Sequence, residues 1–174
     1  MGPARVQSLG EKKYIRVVVD DFTRYTWVVL LKDKVEALEK MIHLCKKLQV
    51  EKDTMIARIR SDHGREFENT KLATFYNDQG THQEFSSSKT PQQNGIVERK
   101  NMVVQEMARV MLHNKRLPKS FWGEAVNTAC HTFNQVSDLI PRRLLMNSGE
   151  ERSWLLNISG YLVMIVTFYV IERT

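Results

Sequence analysis

The sequence predicts an α/β fold in which helices flank a β-sheet. Short runs rich in β-branched residues, each bounded by turn residues, predict strands. Longer segments with apolar residues at helical spacing predict helices that cover the sheet. A chain of 174 residues has room for one domain and a tail.

Four strands are predicted. The run Tyr14 to Asp20 is almost continuously apolar and β-branched, as a strand buried on both faces would be. A turn then leads to Tyr25 to Leu31, so these two strands are expected to form a hairpin. Ile56 to Arg60 and the short run Thr81 to Phe85 are the other two strands.

Helices are predicted between and after these strands. Lys34 to Val50 has apolar residues at helical spacing, with Lys and Glu on the opposite face. Asn69 to Asp78 is a shorter helix that Gly80 ends. Ser120 is expected to cap a further helix whose apolar stripe runs on to Phe133.

The helix predicted from Gly95 to His113 has two different sides. Glu98, Gln105 and Arg109 gather on a side that we expect to face outward. The broad apolar side comprises Ile96, Val97, Val103, Val104, Met107, Ala108 and Met111. Basic residues outnumber acidic ones along this helix and the segment after it. Such charge can form a plain solvated face or a track for a DNA backbone.

The composition limits the partners and the compartment. A net charge of +6 and a pI near 9.4 suit a polyanionic partner without proving one. The two cysteines, Cys45 and Cys130, each lie in a helical apolar pattern, so we expect reduced thiols in the core. No apolar signal segment follows Met1, so secretion is not expected.

Two acidic residues mark a candidate active site. Asp62 follows the strand Ile56 to Arg60, and Glu98 lies in the first turn of the long helix, with 35 residues between the two acids. They can converge on one Mg²⁺ or Mn²⁺, because hard cations take several oxygen ligands and keep positions for phosphate and water. Two such ions can activate a nucleophile and stabilise the leaving oxygen of a phosphodiester.

Four stretches together resemble a known family. Ser61 to Phe67 and Thr90 to Arg99 are similar to the segments that carry the second and third acids of the D,D-35-E retroelement integrase core. Val19 to Trp27 and Leu117 to Val126 resemble its copia-type branch. From these residues the chain is identified as a member of the copia-type LTR retrotransposon integrase cores, and the resemblance covers residues 1–136.

The resemblance implies a function, a cofactor and partners. An intact member, made as part of a Pol polyprotein, uses two Mg²⁺ or Mn²⁺ ions to process DNA 3′ ends and to transfer strands in DNA recombination. Asp62 and Glu98 are the implied catalytic residues and metal ligands. The implied partners are element-end and target DNA and further copies of the chain, and no small-molecule substrate or membrane is expected. The implied location is the nucleus or the cytoplasm, including a virus-like particle.

Four residues around Glu98 are candidates for nucleic-acid binding: Lys89, Asn94, Arg99 and Lys100. Contacts from such side chains to phosphates position DNA without reading its bases. We therefore expect these residues to hold the substrate beside the paired acids.

The first acid of the family is not found in this sequence. Asp20 and Asp21 end a strand, but the resemblance places that strand second, and the first acid lies on the strand before it, just upstream of a Gly-Pro pair. Here that pair is Gly2-Pro3, which places the first acid ahead of Met1. We interpret Asp20 and Asp21 as turn formers whose oxygens accept hydrogen bonds from nearby backbone N–H groups.

The resemblance also implies that a strand is absent. The family has a ribonuclease H-like mixed sheet of order 3-2-1-4-5, and this chain would lack its first, central strand. The strands Tyr14 to Asp20 and Ile56 to Arg60 would then face each other across a gap. Each buried unsatisfied backbone group costs about 1–3 kcal/mol, against a domain stability of about 5–15 kcal/mol. We therefore predict that the chain alone is truncated, poorly folded and inactive.

Residues 137–174 are predicted to be an aberrant tail behind a core domain of residues 1–136. Two segments that the family carries after the core are absent, and suitable codons read two nucleotides later recover both, so we interpret the tail as a frameshift product. Two alternatives remain open. Trp154 to Ile171 is an uncharged stretch at the short limit of a membrane span, and Val163 to Ile171 could be an aggregation-prone strand.

Two other functions also remain open. A non-catalytic nucleic-acid-binding remnant would be basic and would lack the first acid. A ribonuclease H-like nuclease would share the fold, although Leu117 to Val126 favours the integrase branch. Because the first acid is missing, the sequence leaves open whether this chain is an enzyme.

Overall fold

The strands and helices follow one another in the predicted order. The computed structural model describes residues 6–61, 70–85, 95–139 and 162–169. In these ranges the predicted bounds agree with the observed ones to within two residues, except that the last helix ends at Leu139, six residues beyond the end of its predicted apolar stripe. The elements are β1 (Tyr14–Asp20), β2 (Thr26–Leu31), α1 (Glu36–Lys52), β3 (Ile56–Ser61), α2 (Thr70–Asp78), β4 (His82–Phe85), α3 (Gly95–Asn114), a 3₁₀ turn (Lys119–Phe121), α4 (Trp122–Leu139) and β5 (Leu162–Tyr169).

The five described strands form one mixed sheet in the order β2-β1-β5-β3-β4. Strand β1 pairs antiparallel with both β2 and β5. Strand β3 pairs parallel with both β4 and β5. The predicted α/β fold, a mixed sheet flanked by helices, is therefore confirmed.

The central place in the sheet, which the sequence predicts to be empty, is filled by β5. Its residues Met164, Ile165 and Val166 are 0%, 1% and 0% exposed. The strand can lie there because its side chains are uncharged and half of them are β-branched, so they tolerate burial on both faces, while its backbone pairs on both edges. The prediction of a gap between β1 and β3 is thus wrong. Poor folding was expected only because of this gap, so that expectation no longer has a basis. The frameshift origin of the tail and the boundary at residue 136 remain predictions.

Helices cover both faces of the sheet. On one face, Val18 of β1 and Val166 of β5 pack in a cluster with residues of α1 and α2. On the other face, Val17 of β1 and Ile165 of β5 pack with residues of α3 and α4. The alternation follows from the period of two along a strand, which sends neighbouring side chains to opposite faces.

The membrane alternative concerned the stretch that contains β5. Across the described ranges, no helix combines the length and the apolar character that a membrane crossing requires. Residues 162–169 of that stretch form a strand.

Candidate active site and nucleic-acid interface

Glu98 lies in the first turn of α3, and its side chain is exposed. The preceding residue, Val97, is fully buried in the cluster that joins α3 to β1 and β5. Because successive helical residues lie about 100° apart, anchoring Val97 in the core turns Glu98 toward solvent. A carboxylate in the first turn also faces the positive end of the helix dipole, so Glu98 has a favourable position with or without a metal ion.

Asp62, the other predicted metal ligand, lies outside the described residues, as do the predicted DNA contacts Lys89 and Asn94. Ser61, which precedes Asp62, is the last residue of β3. It is fully buried and is paired with β4 and β5. Of the two predicted metal ligands, the structure therefore places Glu98 only.

The described residues do not by themselves build a site for a divalent cation. In the described ranges, no three His, Cys, Asp or Glu side chains lie together in a group that could hold a metal ion. Strand β5, which takes the central place, has no Asp or Glu between Leu162 and Tyr169. A hard cation takes several oxygen ligands, and the described part of this site offers it the single exposed carboxylate of Glu98.

The buried side of α3 differs from the predicted one. Gln105, expected to face outward, is 9% exposed, and its Nε2 donates a hydrogen bond of 2.8 Å to Oδ1 of the buried Asn101. This bond satisfies one polar atom of each amide and so lowers the cost of burying the pair. Val103, expected in the core, is 39% exposed. The predictions for Gln105 and Val103 are therefore wrong. They were based on the helical spacing of polar and apolar residues, which takes no account of a hydrogen bond between two buried amides.

Lys100, a predicted DNA contact, packs against the neighbouring helix. Its Nζ lies 3.9 Å from the centre of the Phe133 ring of α4. Burial lowers the pKa of Lys100 to about 8, and the nearby Arg24 acts in the same direction. The ring attracts a cation and so offsets part of the cost of burial. Lys100 therefore joins α3 to α4, whereas the adjacent Arg99 is exposed.

Exposed basic side chains are spread along α3 and the segment after it. Arg99 lies one residue after Glu98, and Lys115, Arg116 and Lys119 lie beyond the other end of the helix. At 1.5 Å per residue, the axial distance from Arg99 to the end of α3 is about 22 Å. Arg109 lies between them and forms an ion pair of 3.0 Å with Glu106. Beside Glu98, the exposed basic residue that the structure places is thus Arg99.

Asp20 is a turn former, as predicted, whereas the Asp21 carboxylate pairs with a side chain. Oδ2 of Asp20 accepts hydrogen bonds from the backbone N–H and the hydroxyl of Thr23, the first at 2.9 Å. Oδ1 of Asp21 lies 2.6 Å from Nη1 of Arg24. Asp20 pairs with Met164, which pairs in turn with Ile59 in the middle of β3. It therefore lies away from the end of β3 that leads to Asp62.

A polar clamp that the sequence analysis missed holds α4 against the edge strand β2. Oδ1 of Asn134 accepts a hydrogen bond of 3.0 Å from the Thr26 N–H, and Nδ2 donates one of 2.7 Å to the Thr26 carbonyl. The Cys130 thiol donates to the same carbonyl at 3.2 Å. The available signal was a polar residue four positions after Cys130, on the apolar stripe of the helix.

Both cysteines are free and buried, which confirms the prediction of core thiols. Burial raises the pKa of Cys45 to about 12 and that of Cys130 to about 11. A thiol with such a pKa is protonated at neutral pH and is therefore a poor nucleophile and metal ligand.

Comparison with protein families gives the family directly. Residues 3–91, slightly more than half of the chain, match the model described as the integrase core domain. This chain belongs to the integrase core domain family. The predicted resemblance is thereby confirmed.

Curated relatives of this integrase core are plant retrotransposon proteins. The retrovirus-related Pol polyprotein from transposon TNT 1-94 of Nicotiana tabacum is 35% identical over 159 residues, which cover 88% of this chain and 12% of that protein. The corresponding protein from transposon RE2 of Arabidopsis thaliana is 30% identical over 131 residues, which cover 75% of this chain and 9% of that protein. The integrase core chain thus spans about a tenth of the length of these relatives.

Solved structures share the fold of this integrase core. The HTLV-2 integrase catalytic core domain, determined in complex with magnesium in a trimeric form, superposes with a TM-score of 0.54 at 22% identity and covers 78% of this chain and 83% of that chain. The simian T-cell lymphotropic virus intasome, in complex with PP2A regulatory subunit B56 gamma, gives a TM-score of 0.57 at 18% identity and covers 75% of this chain and 45% of that chain. The mixed sheet with flanking helices is therefore the ribonuclease H-like fold of integrase cores.

Proposed function

We propose that this integrase core acts in DNA integration as the central domain of a retrotransposon Pol polyprotein. The observation that carries the proposal is the exposed Glu98 in the first turn of α3, followed in the helix by the exposed Arg99. Membership of the integrase core domain family and the identity to plant Pol polyproteins support the same function. The reaction class is polynucleotidyl transfer, with 3′-end processing followed by strand transfer.

Asp62 and Glu98 are the proposed metal ligands, and Mg²⁺ or Mn²⁺ is the proposed ion. The HTLV-2 core was solved in complex with magnesium, and hard cations prefer carboxylate oxygens. A bound ion would offset the repulsion between the two carboxylates and polarise a phosphodiester. With only Asp62 and Glu98 proposed as ligands from these residues, we expect the ion to bind weakly and the chain alone to have little or no activity.

Of the four candidate residues, Arg99 is the one that we expect to contribute most to DNA binding. Its guanidinium is exposed and can bind a phosphate through two parallel hydrogen bonds. Lys100 already packs on Phe133, so its contribution to DNA binding should be smaller. Lys89 and Asn94 remain proposed contacts that precede α3 in the sequence.

The proposed partners are the ends of the element, target DNA and further copies of the chain. One relative in fold was solved as an intasome, and the HTLV-2 core is known in trimeric and dimeric forms. We propose that the domain works in the nucleus, or in the cytoplasm within a virus-like particle, as the resemblance implies.

A non-catalytic DNA-binding remnant is the second candidate function. The observation that favours it is that β5 fills the central place of the sheet without bringing a carboxylate. Such a protein would bind DNA through Arg99 and its basic neighbours and would leave the DNA intact.

One assay separates these functions. The chain, supplied with an upstream strand that carries the family's first acid, is incubated with Mg²⁺ or Mn²⁺ and with labelled DNA from the ends of the element, beside the same protein with Glu98→Gln. Joining of ends to a second duplex that the variant loses supports the integrase, whereas cleavage without joining indicates a nuclease. Binding without any change in the DNA supports the remnant, and the absence of binding contradicts both proposals.

A further inference from the structure

β5 lies in a slot between β1 and β3. What this slot binds does not depend on the proposed DNA function. We propose that this slot is a peptide-binding site whose ligand is an extended, uncharged, β-branched segment, and that β5 is its tethered occupant. A free peptide of the same sequence should therefore bind to the slot when the chain's own strand is weakened.

Backbone pairing holds β5 on both edges. Its pairs with β1 run antiparallel from Ile15 with Tyr169 to Asp20 with Met164. Its pairs with β3 run parallel and end at Ser61 with Val166. Main-chain pairing of this kind does not depend on sequence, and it is how sheets bind extended peptides in general.

The side chains of the slot define the chemical class of the ligand. Met164 and Val166 lie in the apolar cluster on the α1 and α2 face, and Ile165 lies in the cluster on the α3 and α4 face. A charged residue at position 165 would be buried among apolar side chains, which is strongly unfavourable. The ligand must therefore be uncharged at position 165, and apolar side chains at positions 164 and 166 suit the cluster on the other face.

The partners of β5 lie far away in the sequence. Both β1 and β3 end more than 100 residues before Leu162, and 22 residues separate the end of α4 from β5. The described strands and helices before residue 140 supply both walls of the slot and both layers of helices. In this respect β5 resembles a ligand that a long connecting segment joins to its binding site.

Two polar atoms on the walls of the slot show that β5 is an imperfect ligand. Oδ1 of Asp20 and Oγ of Ser61 are buried and find no hydrogen-bond partner among the described residues. Their cross-strand neighbours are Met164 and Val166, which point to the same face of the sheet and offer no strong donor. A hydroxyl at position 166 could reach Oγ of Ser61. The slot should therefore prefer a segment with Thr at this position to the native one.

The test uses the full chain and a labelled peptide of residues 161–171 with lysines added at its ends for solubility. In the full-chain variant Ile165→Asp, the new charge should keep β5 out of the slot. We expect hydrogen exchange of the β1 and β3 amides to become at least tenfold faster and to slow again when the peptide is added during refolding. A peptide that carries the same Ile165→Asp change is the matched control and should have no effect. The protein variant Val136→Asp, with its charge on an exposed position, should exchange like the wild type.

A milder variant keeps the test valid should the charge prevent folding altogether. Ile165→Ala weakens β5 without a charge, so the native peptide should bind this chain at least tenfold more tightly than it binds the wild type, which competes with its own strand. The peptide with Val166→Thr should bind more tightly than the native peptide by about threefold or more. Unchanged exchange in Ile165→Asp, or equal peptide binding by Ile165→Ala and the wild type, would overturn the proposal. Loss of DNA binding would not affect it, because none of these measurements involves DNA.

Discussion

Ser61, the last residue of β3, is paired with Val166 of β5, which lies 105 residues further along the chain. The pair joins the strand that leads to Asp62 to a strand that carries no acid. The five described strands therefore form one continuous sheet, while the described residues include only Glu98 of the two predicted metal ligands. Folding and metal binding can consequently be tested as separate properties of the same chain.

Removing the polar clamp between α4 and β2 should destabilise the domain. Asn134→Ala removes both hydrogen bonds to Thr26, so the Thr26 N–H loses its side-chain acceptor and the Thr26 carbonyl keeps only the Cys130 thiol as a side-chain donor. We expect the free energy of unfolding, measured with urea, to fall by about 1–3 kcal/mol. Asn127→Ala, on the exposed side of the same helix, should change it by less than about 0.5 kcal/mol. Equal effects of the two substitutions would contradict the clamp.

Lys100 should give the stability of the domain a measurable pH dependence. Its pKa is about 8 in the folded protein, whereas an exposed lysine in the unfolded chain has a pKa near 10.4. Between these values the unfolded chain binds more protons, so stability relative to Lys100→Met should rise as the pH increases from 8 to 10.4. Urea unfolding across this range measures the difference. Lys115→Met, at an exposed position, should give a flat difference, and a flat difference for Lys100→Met would show that its pKa is not lowered.

The two thiols should be unreactive in the folded protein. Burial raises the pKa of both Cys45 and Cys130, so the thiolate that attacks disulfide reagents is scarce and shielded. At pH 8 we expect an aromatic disulfide reagent to label neither cysteine over the time in which it labels a free thiol completely. In urea both should react. Rapid labelling of one cysteine without urea would show that its helix does not pack as described.

Arg99 should contribute to DNA affinity through a phosphate contact. Arg99→Ala should weaken binding about equally for different duplex sequences and should lower the slope of log affinity against log salt concentration by about one. Fluorescence anisotropy with labelled duplexes measures both quantities. Lys47→Ala removes an exposed charge from α1, on the opposite face of the sheet, and should leave the slope unchanged. A similar loss in both variants would indicate a diffuse charge effect with no specific contact.

Local patterns predicted the elements well. The bounds of β1 are those predicted, and α3 ends one residue beyond its predicted end, because hydrophobic periodicity and helix-ending residues act over a few neighbouring positions. The burial of Gln105 was not predictable from periodicity. It depends on a second amide, Asn101, one turn earlier in the same helix.

The place of β5 in the sheet could not be read from local patterns either. The sequence showed a β-branched run at Val163 to Ile171, but strand pairing is decided by partners more than 100 residues away. The resemblance predicted an empty central place in the sheet, because the prediction took account only of the family's own first strand. In the candidate site, the exposure of Glu98 could be predicted from its position in its own helix. The packing of Lys100 could not, because it depends on the Phe133 ring of another helix.

The central claim is that Asp62 and Glu98 bind one divalent cation together, and Mn²⁺ binding followed by electron paramagnetic resonance tests it most directly. The wild-type chain should bind Mn²⁺, and Asp62→Asn, Glu98→Gln and the double variant should all lose it to the same extent, since two ligands of one ion are not additive. Glu124→Gln, which removes an exposed acid from the first turn of α4, is the matched control and should bind as the wild type does. Absence of binding by the wild type, or equal losses in Glu98→Gln and Glu124→Gln, would contradict the claim.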